Sequence, residues 1–120
     1  MKYVLLIYSS PNAFQALPEE ERRALMTEFE ALNKELEESG VYVGGEGLAD
    51  PVNSKTVRVR GGVPAITDGP FAEAKEQLAG YYIVDVENIE RATEIALRDP
   101  AARLWAIEVR PVMDESGLEM

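Results

Sequence analysis

The sequence contains neither cysteine nor histidine. Without cysteine there is no disulfide framework, no thiolate nucleophile and no thiolate metal site, and nothing speaks for secretion. Without histidine, Ser-His-Asp and Cys-His catalysis, histidine zinc sites and imidazole proton shuttles are excluded within the chain. Any acid-base chemistry therefore falls to Asp, Glu, Lys or Tyr. Positive charge is scarce as well: 12 Lys and Arg face 22 Asp and Glu, and the net charge of -10 repels phosphate backbones and anionic lipid. Neither nucleic acid nor a membrane is expected as a partner. The opening "MKYVLLIYSSP" has too short an apolar run for a signal peptide or a membrane span, so a cytoplasmic address is expected.

What is present suits an ordinary soluble domain. At 120 residues the chain is long enough for one continuous core, and one domain over 1–120 is expected, with the aperiodic 113–120, "MDESGLEM", as a loose tail. "KYVLLIYS" reads as a strand that is apolar on both faces: Tyr3, Leu5 and Ile7 on one, Val4, Leu6 and Tyr8 on the other. Residues 18–39 read as a helix, with Pro18 at its start, glutamates in the first turn, Gly40 just past its end, and Leu25, Phe29, Leu32 and Leu36 on one stripe. "VYVGGEGL" is a strand that bends at its glycines, with Glu46 at the bend. "KTVRVRGGVPAIT" is a hairpin turning at Gly61-Gly62, with Val57 and Val59 opposed in facing to Arg58 and Arg60.

In "TDGPFAEAKEQLAGYY", Asp68 precedes Gly69 and Pro70, and the pattern predicts a short helix from Pro70 through Gln77 whose free N–H groups the Asp68 carboxylate would meet. "GYYIVDV" is again a strand with two apolar faces. Asn88 caps a helix through 98 with Ile89, Ala92 and Ala96 inward, Asp99-Pro100 stops it, and "LWAIEVRPV" is the last strand, with Glu108 and Arg110 on one face. The order predicts an α+β, ferredoxin-like βαββ(β)βαβ sandwich with both helices on one side of the sheet. Since residues 3–8 and 81–86 are apolar on both sides, a second copy is expected to cover the bare side as a homodimer.

The candidate site residues follow from this layout. Asp68 is the candidate catalytic acid-base group, against the plainer reading of a helix-start residue. Arg58, Arg60, Tyr81, Glu108 and Arg110, with Tyr3 as a further neighbour, are candidates to line a polar pocket for a small anionic or aromatic ligand, against the plainer reading of cross-strand or intersubunit ion pairs. Glu46 is a candidate site edge. The carboxylates lack coordination spacing, so neither a metal nor another cofactor is expected.

The segments "MKYVLLIY", "GGEGL", "TVRVR", "TDGPFAEAKEQLAGYYIV", "DPAAR" and "EVRPV" resemble the YCII-related family of small bacterial proteins, in its DGPF (DGPFAETKE) branch. Ala74 stands where the branch name has Thr. The resemblance implies a dimeric α+β barrel of uncharacterised activity. In some members an Asp-His pair has been suggested as catalytic, and here no histidine can complete it. Some relatives accompany sigma factors of the extracytoplasmic-function type, a link that rests on resemblance alone. The leading functional expectation is a small-molecule-binding or regulatory module with a cleft near the DGPF motif. Its rivals are a cofactor-free lyase, isomerase or hydrolase acting through Asp68 on a small, for instance aromatic, molecule, and a purely protein-interacting accessory domain.

Overall fold

The computed structural model describes residues 1–72, 74–114 and 116–117. Six strands and three α-helices follow in the order β1 (Lys2–Ser9), α1 (Glu19–Glu38), β2 (Tyr42–Gly47), a 3-10 turn (Pro51–Asn53), β3 (Lys55–Arg60), β4 (Val63–Asp68), β5 (Gln77–Asp85), α2 (Ile89–Arg98), α3 (Pro100–Leu104) and β6 (Ala106–Pro111). Four strands form one antiparallel sheet in the order β2-β5-β1-β6, and β3-β4 form a separate hairpin. The class is α+β, and the strand order is compatible with a ferredoxin-like fold.

Strand register divides the sheet residues between two faces. Tyr3 pairs with Val84 and Leu5 with Tyr82, and all four are buried against α1 and α2. Leu32 and Leu36 of α1 meet Ala92, Ile95 and Ala96 of α2 over this face. The spacing of four along α1 places its leucines on one stripe, and burial of a leucine or valine of this kind contributes about 1.5–3 kcal/mol of transfer free energy. Salt bridges Arg103–Glu28, at 2.6 Å, and Arg98–Glu35 fasten the second helical segment to α1 at the surface. The opposite face presents Val4, Leu6, Tyr81 and Ile83, paired as Val4–Ile83 and Leu6–Tyr81, and none of the four belongs to the core cluster under the described helices. The molecule is 19 Å along its shortest axis, as one sheet and one helical layer require.

Two expected features differ. Residues 70–76 are irregular rather than helical among those described. Strand β5 starts at Gln77, which pairs with Ser9, so sheet pairing claims the residues that would have completed a helix already too short to be stable alone. The Gln77 amide donates to Ala72 O and Ala74 O, each at 3.1 Å, and so satisfies loop carbonyls instead. Asp68 accordingly meets no helix start; its partner is Lys55 across the hairpin. Conversely, Asp99-Pro100 both ends α2 and begins α3: Asp99 Oδ1 accepts from Ala101 N at 2.8 Å and Pro100 takes the first turn, where no N–H is needed. In α2 it is Ile95, not Ile89, that turns inward. Of the expected loose tail, residues 115 and 118–120 lie outside the described residues.

Two glycine features were legible. Gly61 and Gly62 both carry positive φ, +55° and +78°, and make the hairpin turn. The register of β2 on β5 shifts between Tyr42 and Gly44, the expected bulge. Beside it Gly45 lies so close to β5 that a Cβ would stand 2.5 Å from Tyr81 O and from Tyr82 Cβ.

Candidate functional site

The helix-covered side of the sheet is not filled along its whole length. At the end where β2 and β5 meet, Gly47 pairs with Gly80, and neither brings a side chain. Alternation from Gly45, which opposes the inward Tyr82, turns Gly47 to the same covered side, and the place where its Cβ would stand is open. The missing volume leaves a cavity of about 460 Å³ between the sheet, α1 and the 10–15 and 48–51 loops. Its wall includes Phe14, Phe29, Tyr42, Tyr82 and Trp105.

One polar device is built into this wall. The Tyr82 hydroxyl donates to Asp99 Oδ2 at 2.8 Å, with Asp99 3% exposed. Burial raises the Asp99 carboxyl above its ordinary value, an effect opposed by the hydrogen bonds from Ala101 N and from Tyr82. Burial, followed by the adjacent Asp99 charge and hydrogen bond, pushes the Tyr82 phenol far upward, so Tyr82 keeps its proton and serves only as a donor. Both Asp99 oxygens are thus committed, one to the α3 cap and one to Tyr82. The pair holds the ring of Tyr82 against Tyr42, whose centroid is 6.4 Å away in a stacked arrangement. Asp50, also in the wall, accepts from Val52 N at 2.9 Å through Oδ1, while its Oδ2 is buried without a hydrogen-bond partner.

The sequence-predicted residues fall into two groups, of which Glu46 and Tyr81 also border the cavity. Four of them share the uncovered sheet face: register aligns Glu46, Tyr81, Leu6 and Glu108 across the strands, with Arg110 beside Val4 in the next row. Arg110 Nε donates to Glu108 Oε2 at 3.0 Å, which raises the guanidinium pKa, and Tyr8 Oη approaches Glu108 Oε1 at 3.5 Å. Tyr3, expected as their neighbour, is on the buried side. The other three are on the hairpin. Arg58 lies 4.3 Å over the Phe71 ring, Arg60 is at the exposed turn, and Asp68 has a side chain 82% exposed and paired with Lys55. Within "TDGPFAEAKEQLAGYY", Thr67, Asp68 and Phe71 therefore stay with the hairpin, and Gln77 to Tyr82 border the cavity.

Sequence reasoning missed Asp99 as more than a helix stop, and missed the cavity itself. The signals were there: "DPAAR" is a cap, a proline and two alanines, and three glycines of two paired strands fall where helix-facing side chains were needed. Among the described residues no group of acidic side chains is arranged to hold a metal ion, and no helix is long and apolar enough to cross a membrane.

Fold and site together define an α+β protein with a glycine-hollowed, aromatic-walled cavity under its helical layer. The chain belongs to the YCII-related domain family, whose model matches residues 1–116. It is similar to an uncharacterized protein of Rhizobium meliloti (strain 1021), 31% identical over 114 residues that span 93% of this chain and 92% of that protein.

Proposed function

We propose that the protein is a small-molecule-binding module that works as a homodimer, a dimeric α+β barrel, with its ligand in the cavity between sheet and helices. The observation that carries this is the cavity: about 460 Å³ falls in the range of ligand sites, and an aromatic wall with a few fixed polar groups is their usual chemistry. The uncovered face, apolar at its centre and edged by Glu46, Glu108 and Arg110, supports pairing with a second copy. The catalytic alternative through Asp68 finds less support, because that carboxylate is exposed, ion-paired and outside the cavity wall.

Trp105, the single tryptophan, stands in the wall and makes the test direct. Titration with a panel of small aromatic molecules should change its fluorescence saturably in the wild type. Gly47→Phe, which places a ring in the open space, should fold and lose the response. Undiminished binding by a folded Gly47→Phe variant would contradict this site.

A further inference from the structure

The cavity's charges are one-sided. Among the described residues, its wall contains Glu46, Asp50 and Asp99 and neither lysine nor arginine. A nearby guanidinium, that of Arg22, is already committed to Gln15 O at 2.9 Å and Leu17 O at 3.2 Å. An anionic ligand would therefore be desolvated with no opposite charge to meet it, a large cost in a low-dielectric site.

The three acids are not equivalent. Both Asp99 oxygens are used, and Glu46 aligns with Tyr81 on the uncovered side of the sheet. Asp50 alone has an oxygen, Oδ2, that is buried and unpartnered. A buried acceptor of this kind is costly when unmet, and an ammonium donor offsets that cost better than a neutral one. The aromatic rings add a second attraction, since their faces favour cations in a water-poor setting. At larger range the chain's net charge of -10 draws cations toward it. The potential at the wall has the same sign: after burial, the charges of Glu37 and Glu46 push the Tyr42 phenol upward.

We propose that the ligand is an organic cation, an amine with an apolar or aromatic body, whose ammonium is met by Asp50 and whose body lies among Phe14, Phe29, Tyr82 and Trp105. This rests on the cavity being the binding site; of the small anionic or aromatic ligands that the sequence suggested, it keeps the aromatic body and replaces the anion with a cation.

The experiment compares three probes of similar size: 2-phenylethylamine, 2-phenylethanol and 3-phenylpropanoate. Calorimetry and Trp105 fluorescence follow each on the wild type and on Asp50→Asn, which keeps an Oδ1 acceptor for the Val52 N–H and removes the charge. The amine should bind about tenfold or more tightly than the alcohol, with the carboxylate weakest. Asp50→Asn should erase most of the amine's advantage over the alcohol. Equal affinity for amine and alcohol, preference for the carboxylate, or a preference for the amine that survives in Asp50→Asn would overturn the assignment while leaving the cavity as the site. No saturable response to any of the three would overturn the cavity reading with it. Should Asp50→Asn fail to fold, the ranking of the three probes on the wild type decides alone.

Discussion

The two faces of the four-stranded sheet are built from the same strands and equally apolar residue types, yet they end in different states. On one, Leu5 and Val84 are fully buried beneath α1 and α2; on the other, Leu6 and Ile83 lie outside the core cluster under the described helices. The covered face also carries the irregularities: paired glycines, a buried Tyr-Asp hydrogen bond and a cavity. The uncovered face is apolar at its centre, with its charged groups on the edge strands. The difference teaches that hydrophobic alternation identifies a face that must be covered and says little about where a ligand fits. The ligand space arises where side chains are missing from the covered face.

Paired truncations are the strongest way to break this comparison. Leu5→Ala should cost about 2–5 kcal/mol in denaturant unfolding, the loss of a core leucine plus its cavity. Leu6→Ala, its neighbour in sequence, should cost well under half as much at low protein concentration. If the second copy covers that face, Leu6→Lys should shift sedimentation to the monomer without unfolding it. Equal losses at both positions would show that the faces are equally packed.

The Tyr82–Asp99 pair comes next. Asp99→Ala removes a helix cap and strands a buried hydroxyl, and should cost about 1–3 kcal/mol by thermal or chemical unfolding. In a double-mutant cycle with Tyr82→Phe the losses should be less than additive. The pH dependence has a definite sign. Burial raises the Asp99 carboxyl in the folded state, so its contribution to stability is fullest below the ordinary carboxylate pKa and is lost as pH rises through the raised value. The stability of the wild type relative to Asp99→Asn should therefore fall with rising pH across the acidic range. A difference that grows with pH would contradict the burial argument.

The smallest effect belongs to the hairpin. Lys55 and Asp68 are both largely exposed, and Asp68→Asn should change stability by less than about 1 kcal/mol. A larger loss would mean that this pair is buried in an assembled form.

Most of the fold could be read from the residues because local signals agreed with the tertiary arrangement. The α1 leucine stripe, the Gly61-Gly62 turn and the doubly apolar β1 and β5 each declare their element. The segment 70–77 misled because Pro70 is a good helix start, while the competing demand, pairing of Gln77 with Ser9, comes from a strand nearly 70 residues earlier. Asp99 was seen as punctuation because its second role depends on Tyr82, 17 residues away and on another element. The candidate site was less legible for the same reason. Glu46, Tyr81, Glu108 and Arg110 could be placed on one face by counting residues, whereas the cavity depends on which glycines lie opposite which, and that is fixed only by register.

Gly45 and Gly47 have opposite evolutionary prospects. Any side chain at 45 would have to occupy space held by the β5 backbone, so drift at that position is closed unless β2 detaches. Position 47 meets nothing, and a larger residue accepted there would cut into the cavity while the strand stayed in place. Where a glycine is kept at 45, the size of the ligand space is thus set through a single adjustable position, 47, with no change to the fold that surrounds it.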